Sequence, residues 1–301
     1  MSSNQTDPQI SVVIPTFNRK DKVLAAIKSV LDQTLQPLEI IVVDDLSTDG
    51  TAEIDWGAIS PLIRYVPLTV KAGGGGARNE GIKQAQGQWV AFLDSDDLWL
   101  PNKLKEQVEF LNASPESIDV LSSNVYWRNG RHADVVFNTK VRRPNEHISH
   151  YLMVRDGAYQ TSGLLIRRDV LLQVPFDPTL RKHQDWDLVF RLEAAGFKLA
   201  YSDMPLAIYV AEADPLRISI GVSDVSVSVD WMRRRSSVIS PESAAYYFSY
   251  RLFSRAVRSK GVAAIPMWWS FAVRSHRSFL YATAGICASI TGKMNRVFQS
   301  S

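Results

Sequence analysis

The sequence predicts an α/β fold in which a mostly parallel, doubly wound sheet carries helices on both faces. Short apolar runs rich in β-branched residues alternate with stretches of helical periodicity through residues 10–111. Two of the predicted strands end abruptly in aspartates, at Asp44-Asp45 and at Asp94-Ser95-Asp96-Asp97. Ligands bind beyond the carboxyl ends of the strands in such sheets, so we expect the functional site at that edge.

The individual elements follow from local patterns. Strands are predicted at 10–15, 38–43, 63–66 and 89–93, and helices at 21–31, 77–86 and 103–111. The glycine-rich run 71–76 predicts a flexible loop. Beyond residue 118 the pattern is looser, with strands expected at 119–126, 163–166, 198–201 and 206–209 and helices at 168–173 and 186–195. The alternating segment 222–229 fits either a strand or a connector.

The composition is that of an ordinary soluble protein, with 46% hydrophobic and 22% charged residues. The single cysteine, Cys287, excludes a disulfide framework and a cysteine-zinc site, and it fits a reducing compartment. Residues 1–9 are polar and contain no apolar stretch typical of a secretory signal. These features together predict a cytoplasmic location.

Charge is distributed unevenly along the chain. From Arg233 to the C-terminus there are 11 Lys and Arg residues but one acid, Glu242, whereas the preceding residues hold 23 Lys and Arg against 30 Asp and Glu. A basic tail therefore follows an acidic body. Such a split favours contact with an anionic surface, and nucleic acid and the cytoplasmic face of a membrane are the two candidates.

The tail itself is predicted to be helical. One helix face carries apolar side chains and the opposite face arginines, namely Tyr246, Tyr250, Phe253 and Val257 against Arg251, Arg255 and Arg258. The apolar stretches 262–273 and 278–290 are each shorter than the roughly 20 residues that span a bilayer. They fit helices lying in the membrane interface or helices packed on the protein's own core or a dimer partner, and the arginine excess favours the membrane.

The aspartates after the predicted strand 89–93 point to a cation. Closely spaced carboxylates repel one another unless positive charge lies between them, and clustered hard oxygen ligands suit Mg²⁺ or Mn²⁺. Such a cation is often held together with a phosphate. The residues alone therefore predict a site for a metal-bound phosphorylated ligand at Asp94-Ser95-Asp96.

Four motifs, taken together, resemble a known family. The runs ISVVIPTFNR, IIVVDDLSTDGT, GARNEGIKQAQGQWVAFLDSDDLWLPNKL and HQDWDLVFRL are similar to those of the family 2 glycosyltransferases of the GT-A fold, from about Ile10 to about Arg217. The resemblance implies inverting transfer of a sugar from a nucleoside-diphosphate sugar, UDP-linked by default, to an acceptor hydroxyl. It also implies Mg²⁺ or Mn²⁺ as cofactor, and an acceptor that is lipid-linked or a growing polysaccharide.

On this basis the chain divides into three parts. Residues 9–110 form the nucleotide-sugar-binding half, 111–230 the acceptor-binding half, and 231–301 a basic, aromatic helical extension. The extension leads us to expect a peripheral protein on the inner face of the membrane. No motif of the family covers the chain beyond about residue 230.

The resemblance also implies roles for single residues around the nucleotide. Thr16 would line the nucleotide site, and Asp45 would accept a hydrogen bond from the base, with Asp44 beside it or capping the next helix. Arg78 would lie near the base or diphosphate, and Arg217 would steady the diphosphate. The glycine run 73–76 departs from the family pattern. It fits a linker better than a backbone surface for the diphosphate.

The remaining implied roles concern metal and catalysis. Asp96 would bind the cation directly, Asp94 the ribose or a metal-bound water, and Asp97 would cap a helix after Leu98. Asp185 matches the catalytic base, a role compatible with capping the following helix. Two departures are visible. Gln184 stands where many relatives have Glu, and no histidine follows the last core strand, where Glu212, Asp214, or water and phosphate would complete the metal shell.

Two other function classes fit less well. A sugar-phosphate nucleotidyltransferase would carry glycines directly after the first strand, where this chain reads Thr16-Phe17-Asn18-Arg19-Lys20. A non-catalytic scaffold or nucleic-acid binder would use the basic tail but leave Asp94, Asp96 and Asp185 without a role. We therefore expect no nucleic-acid partner.

Overall fold

A computed structural model describes residues 8–130, 134–211, 225–260, 263–274 and 276–291. The chain forms two compact units, of which unit 1 comprises residues 1–141 and 158–218 and unit 2 comprises 142–157 and 219–301. The predicted α/β fold is confirmed. The predicted halves 9–110 and 111–230 contribute strands to one continuous sheet in unit 1.

The sheet of unit 1 has nine strands. They are β1 Ile10–Thr16, β2 Glu39–Asp44, β3 Ile63–Pro67, β4 Trp89–Phe92, β5 Leu98–Trp99, β6 Val120–Arg128, β7 Val135–Val136, β8 Leu164–Arg167 and β9 Leu199–Val210. Their order is β3-β2-β1-β4-β8-β6-β9-β5, with β7 pairing β6. The first four neighbours are parallel, whereas β8 runs antiparallel to both β4 and β6. The carboxyl ends of β1, β2, β4 and β6 therefore meet at one edge.

Within the described ranges 8–130 and 134–211 there are seven α-helices. They are α1 Lys20–Leu31, α2 Trp56–Ile59, α3 Gly73–Gln84, α4 Lys103–Ala113, α5 Ile148–Met153, α6 Arg168–Gln173 and α7 Gln184–Ala194. Helix α1 buries Val23 and Ile27 against one sheet face, where Val12 and Ile14 of β1 also point. On the opposite face α3 lies so close to β1 that a Cβ at Gly81 would overlap the side chain of Val13. Helices cover both faces, as a parallel sheet requires.

Two predictions about the elements of residues 71–76 and 198–209 were wrong. The glycine run, predicted as a loop, forms the first turn of α3. The strands predicted separately at 198–201 and 206–209 are one strand, β9, whose pairing with β6 is irregular around Pro205. A bulge of this kind accommodates a residue that has no N–H to donate, so the strand continues past it.

The described part of unit 2 is helical throughout its C-terminal portion. After α5 it contains α8 Val225–Arg234, α9 Pro241–Tyr247, a π-helical turn Phe248–Leu252, α10 Phe253–Lys260, α11 Ala264–Ala272 and α12 His276–Thr291. Ser240 caps α9 by accepting a hydrogen bond from the Ser243 amide at 3.2 Å. Phe248 stacks on Phe271 with ring centroids 5.2 Å apart. Of the described helices, none combines the length and apolarity that crossing a bilayer demands.

Unit 2 departs from the sequence pattern in two places. Of the segment 222–229, predicted as a strand or connector, residues 222–224 lie outside the described residues, and 225–229 form the start of helix α8. Val225, Ser228, Val229 and Met232 are buried there at helical spacing. The π-helical turn then shifts the helical phase before α10. As a result Ala256 is buried and Val257 is exposed, whereas Val257 was predicted to share the apolar face of Tyr246.

Candidate active site

The acidic loop leaves the sheet directly after β4. The Leu93 amide still donates to Val13 of β1, at 3.1 Å, so the loop residues Asp94 to Asp97 begin at the carboxyl edge. Asp94 and Asp96 are partly exposed, whereas Asp97 is buried. The loop thus presents two carboxylates outward and holds a third inside the protein.

Two arginines, one just before α1 and one within α3, pair with Asp94 and Asp96. Arg19, which precedes α1, forms an ion pair with Asp96 at 3.0 Å. Arg78, in α3, donates to Asp94. These pairs place positive charge where adjacent carboxylates would otherwise repel one another. The sequence assigned no role to Arg19, because its partner Asp96 is distant in the chain.

Asp97 does not cap a helix, contrary to the prediction, because the chain after it forms β5. Its carboxylate accepts hydrogen bonds from Ser162 Oγ at 2.7 Å, Gln160 Nε2 at 2.8 Å and the Val210 amide at 3.1 Å. Burial raises its pKa to about 8, and the negative charges of Asp94 and Asp96 contribute. Asp97 therefore joins the acidic loop to the 160–163 turn and to the end of β9.

The predicted base lies in the first turn of α7. His183 occupies the N-cap position with φ 64°, so α7 begins at Gln184, and Asp185 is inside the helix rather than its cap. Asp185 Oδ1 accepts a hydrogen bond from the Trp186 amide at 2.8 Å. Burial raises the pKa of Asp185 to about 6, and the charge of Asp94 acts in the same direction.

Arg78 connects the acidic loop to α7. Besides Asp94, it donates through Nη1 to Gln184 Oε1 at 2.6 Å, and its guanidinium lies over the Phe176 ring. Arg78 as a whole residue is 7% exposed, and its Nε has no hydrogen-bond partner among the described residues. Gln184, noted in the sequence only as a departure from the family, is therefore the residue through which Arg78 reaches the helix of Asp185.

The glycines of α3 make room for these contacts. A Cβ on Gly75 would lie 3.0 Å from the carbonyl oxygen of Asp177, and a Cβ on Gly74 would lie 3.2 Å from Arg78 Nη1. Gly73 has φ +69°, a left-handed conformation that glycine adopts readily. The run is thus a tightly packed helix start, and the interpretation of it as a linker was wrong.

Two aspartates follow β2 at the same edge. Asp44 accepts hydrogen bonds from Ser47 Oγ at 2.5 Å and from Tyr65 Oη at 2.6 Å, as expected of a turn-forming residue. Asp45 accepts hydrogen bonds from the amides of Ala72 at 2.7 Å and Gly73 at 3.0 Å. Asp45 therefore satisfies amides at the start of α3, which a helix leaves without intrahelical partners.

Thr16 ends β1 and lies next to Asp44 in the sheet register. It is 3% exposed, and its Oγ1 is one of four buried side-chain atoms without a hydrogen-bond partner among the described residues. Arg78 Nε is another. Because buried polar groups are normally satisfied, these two atoms are candidates for contacts with a bound ligand.

The acidic loop suits a cation that phosphate oxygens help to hold. Within the described ranges, no three His, Cys, Asp or Glu side chains are grouped closely enough to enclose a metal ion by themselves. Mg²⁺ commonly takes one or two carboxylates and completes its shell with waters and substrate phosphates. Asp94 and Asp96 fit that donor set. Arg217, Glu212 and Asp214, to which further contacts were assigned, lie outside the described residues.

Known proteins are similar to this chain in sequence. Residues 11–174 match the sequence profile of Glycosyl transferase family 2. The chain is 33% identical over 210 residues to the amylovoran biosynthesis glycosyltransferase AmsB of Erwinia amylovora, which covers 67% of this chain and 70% of that protein. It is 30% identical over 208 residues to the UDP-Glc:alpha-D-GlcNAc-diphosphoundecaprenol beta-1,3-glucosyltransferase WfaP of Escherichia coli, covering 68% and 78%.

A solved structure is similar in fold. S. aureus TarS, residues 1–349 in complex with UDP-GlcNAc, matches with a TM-score of 0.64 over 95% of this chain and 92% of that chain, at 19% identity. The likeness includes the mixed α/β sheet and the C-terminal helices.

Proposed function

Because the chain belongs to glycosyl transferase family 2 and has the GT-A fold, we propose that it transfers a sugar from a nucleoside-diphosphate sugar to an acceptor hydroxyl with inversion. The observation that carries the proposal is the bridge made by Arg78, which contacts Asp94 of the acidic loop and Gln184 beside Asp185. The acids that we propose to bind the donor and the residue that we propose as the base are thus connected through one arginine.

Asp185 takes the proton of the acceptor hydroxyl in this proposal. A carboxylate whose pKa is raised to about 6 is still ionised at neutral pH and is a stronger base than an ordinary aspartate. A single base with direct attack at the anomeric carbon gives inversion, by the same logic that applies to inverting glycosidases.

Asp96 and Asp94 would hold Mg²⁺ or Mn²⁺ jointly with the donor diphosphate. Such a cation stabilises the negative charge that develops on the departing nucleoside diphosphate. For both acids to bind a cation, the ion pairs with Arg19 and Arg78 must loosen or shift toward the phosphates. Arginine matches phosphate oxygens as well as carboxylates, so the two guanidinium groups are placed to take either partner.

Thr16, Asp45 and Arg78 form the nucleotide side of the proposed site. The unpartnered Thr16 Oγ1 and Arg78 Nε supply hydrogen-bonding capacity. Asp45 retains acceptor sites beyond the two amides and the Lys71 ammonium, 3.3 Å away, that it already binds. We take UDP as the nucleotide because the E. coli relative is named for UDP-Glc. Arg217, which lies outside the described residues, is proposed as a further contact to the diphosphate.

The acceptor in this proposal is lipid-linked or a growing polysaccharide. The E. coli relative is named for a diphosphoundecaprenol-linked acceptor, and the Erwinia relative for amylovoran biosynthesis. An acceptor confined to a membrane would bring the enzyme to the inner face of that membrane. Capsule, exopolysaccharide or lipopolysaccharide synthesis is the setting that this chemistry fits.

Thermal unfolding with a panel of nucleoside diphosphates and their sugars, with and without Mg²⁺ or Mn²⁺, tests the donor site. A UDP-sugar should raise the melting temperature only with the cation, because a ligand that binds the folded state stabilises it. Asp96→Ala should lose this response. The control, Asp32→Ala, removes an exposed acid that pairs with Lys28 on α1 and should keep it.

The donor-site assignment is contradicted if no nucleotide shifts the melting temperature, or if Asp96→Ala responds like the wild type. Analysis of the reaction products distinguishes a glycosyltransferase from a sugar-phosphate nucleotidyltransferase. Transfer releases a nucleoside diphosphate, whereas a nucleotidyltransferase would exchange inorganic pyrophosphate.

A further inference from the structure

Unit 2 exposes a group of large apolar side chains on its last three helices. Six of them are at least 40% exposed: Val257, Ile265, Trp269, Val273, Phe279 and Leu280. We call these six residues the tail surface. Soluble monomers rarely expose large apolar side chains in such numbers over so short a stretch, and where they do, the patch usually contacts a partner or a membrane.

Aromatic contacts connect the three helices that carry the tail surface. Ile265, Trp269 and Val273 are spaced by four residues and therefore form one stripe along α11 and its end. The Trp268 ring connects this stripe to the neighbouring helices, since it contacts Phe253 of α10 at 6.5 Å and Phe279 of α12 at 6.3 Å between centroids. The stack of Phe248 on Phe271 adds a further aromatic contact between α11 and the π-helical turn.

Exposed arginines lie close in sequence to the residues of the tail surface. Arg255 and Arg258 on α10 are exposed, as are Arg274 and Arg277 between α11 and the first turn of α12. The sequence contains no Asp or Glu from Ser243 to Ser301. No acidic side chain of residues 243–301 therefore balances the positive charge of these arginines.

The charge of this surface argues against a second copy of this chain as the occupant. No described helix can cross a bilayer. A symmetric dimer through the tail surface would bring the arginines of both copies together, which is unfavourable. An anionic bilayer offers both components that the surface lacks: an apolar layer for Trp269 and its neighbours, and phosphates for the arginines.

We propose that the tail surface docks onto an anionic lipid bilayer, with α11 lying in the plane of the interface. The apolar stripe enters the boundary between headgroups and acyl chains, and Arg255, Arg258, Arg274 and Arg277 contact lipid phosphates. Docking rests on unit 2 alone and does not depend on the transfer chemistry proposed for unit 1.

Sedimentation of the full-length protein with vesicles tests the proposal. Binding to vesicles that contain phosphatidylglycerol should exceed binding to pure phosphatidylcholine by more than about tenfold and should weaken as salt is raised. The double variant Ile265→Ser, Trp269→Ser should lose binding to both. The double variant Arg255→Gln, Arg258→Gln should lose the preference for phosphatidylglycerol.

Matched controls change residues of the same kind elsewhere. Val70→Ser with Leu172→Ser removes two exposed apolar side chains of unit 1, and Lys28→Gln with Lys105→Gln removes two exposed lysines. Both should bind vesicles as the wild type does. Folding of each variant is checked by its melting temperature, and transfer to a water-soluble acceptor reports separately on unit 1.

The proposal is overturned if phosphatidylglycerol gives no advantage, or if the tail variants bind like their controls. It is also overturned if sedimentation velocity without lipid shows a dimer that the Ile265→Ser, Trp269→Ser variant converts to a monomer. In that case a second copy of the chain, rather than a bilayer, covers the surface.

Discussion

Arg78 holds two parts of the proposed site that lie far apart in the sequence. Its guanidinium donates to Asp94 and to Gln184 Oε1 and lies over the Phe176 ring. A lysine at this position would keep the positive charge. Its ammonium lacks the planar, fixed arrangement of donors by which the guanidinium binds Asp94 and Gln184 at the same time. Arg78 is therefore a positioning residue for the acidic loop and α7 as well as a candidate ligand of the diphosphate.

Replacing Arg78 tests this bridging role. Arg78→Lys should lower the transfer rate by about tenfold or more, because loss of alignment reduces catalysis even when charge is retained. The control Arg64→Lys changes a half-exposed arginine that bonds Gln84 and should leave transfer unchanged. Steady-state kinetics with both variants measure the effect. Equal rates in Arg78→Lys and wild type would contradict the bridging role.

The proposed base makes transfer depend on pH in a stated direction. Asp185 must be deprotonated to accept a proton, and its pKa is raised to about 6 by burial and by the charge of Asp94. We expect kcat/KM, which reports the free enzyme, to be constant near neutral pH and to fall about tenfold per pH unit below pH 6. A profile that stays flat to pH 5 would count against Asp185 as the base.

The sequence indicated candidate acids of the site but not the contacts around them. Asp94, Asp96 and Asp185 were identifiable because each stands at a strand end or helix start within a motif. Arg19, Ser162 and the role of Gln184 were not, because their partners are distant in sequence and only the packed sheet brings them together. Asp97 was misassigned for the same reason, since its hydrogen-bond donors lie at Gln160, Ser162 and Val210.

At the scale of elements, α3 shows how tertiary contacts override local propensity. Four successive glycines weaken a helix in isolation, yet they form its first turn here. Asp45 satisfies the first amides, and Asn79 exchanges hydrogen bonds with the Phe176 backbone at 2.8 and 2.9 Å. The helix start is thus fixed by neighbours that no local pattern reveals.

Alanine substitution in α3 should reveal this close packing. Gly→Ala within an ordinary helix stabilises by about 0.5–1 kcal/mol. Gly75→Ala should instead destabilise by about 1 kcal/mol or more, because its Cβ would lie 3.0 Å from the Asp177 carbonyl oxygen. Gly57→Ala in α2, where the nearest atom would be 3.7 Å away, is the matched control. Urea unfolding measures both, and a stabilised Gly75→Ala would refute the packing account.

The same reasoning explains the other elements that the sequence misassigned. Alternating valines and serines at 225–229 satisfy the period of a strand, but residues 225, 228, 229 and 232 also satisfy that of a helix. Periodicity alone does not decide between them in so short a run. In the tail, a single π-helical turn was enough to move Val257 from the predicted buried face to the surface.

At the scale of the whole molecule, the two units carry different proposed tasks. Unit 1 holds the acidic loop, Asp185 and the arginines, and unit 2 holds the basic tail surface. The charge asymmetry of the sequence anticipated a separate tail. It did not anticipate that residues 142–157 join the C-terminal helices, where Ser149 of α5 contacts Ser243 of α9 at 3.3 Å. Contacts between segments that distant require the fold and leave no local signature.

We propose that this chain is an inverting glycosyltransferase with Asp185 as its base. Measuring transfer and donor affinity side by side tests this proposal most directly. Transfer and donor affinity are measured on the same preparations of wild type, Asp185→Asn and the control Asp203→Asn, which changes an exposed aspartate of β9. Asp185→Asn should retain the donor affinity of the wild type and lose transfer by about 100-fold or more, while Asp203→Asn matches the wild type in both. Transfer by Asp185→Asn at the wild-type rate would contradict the account.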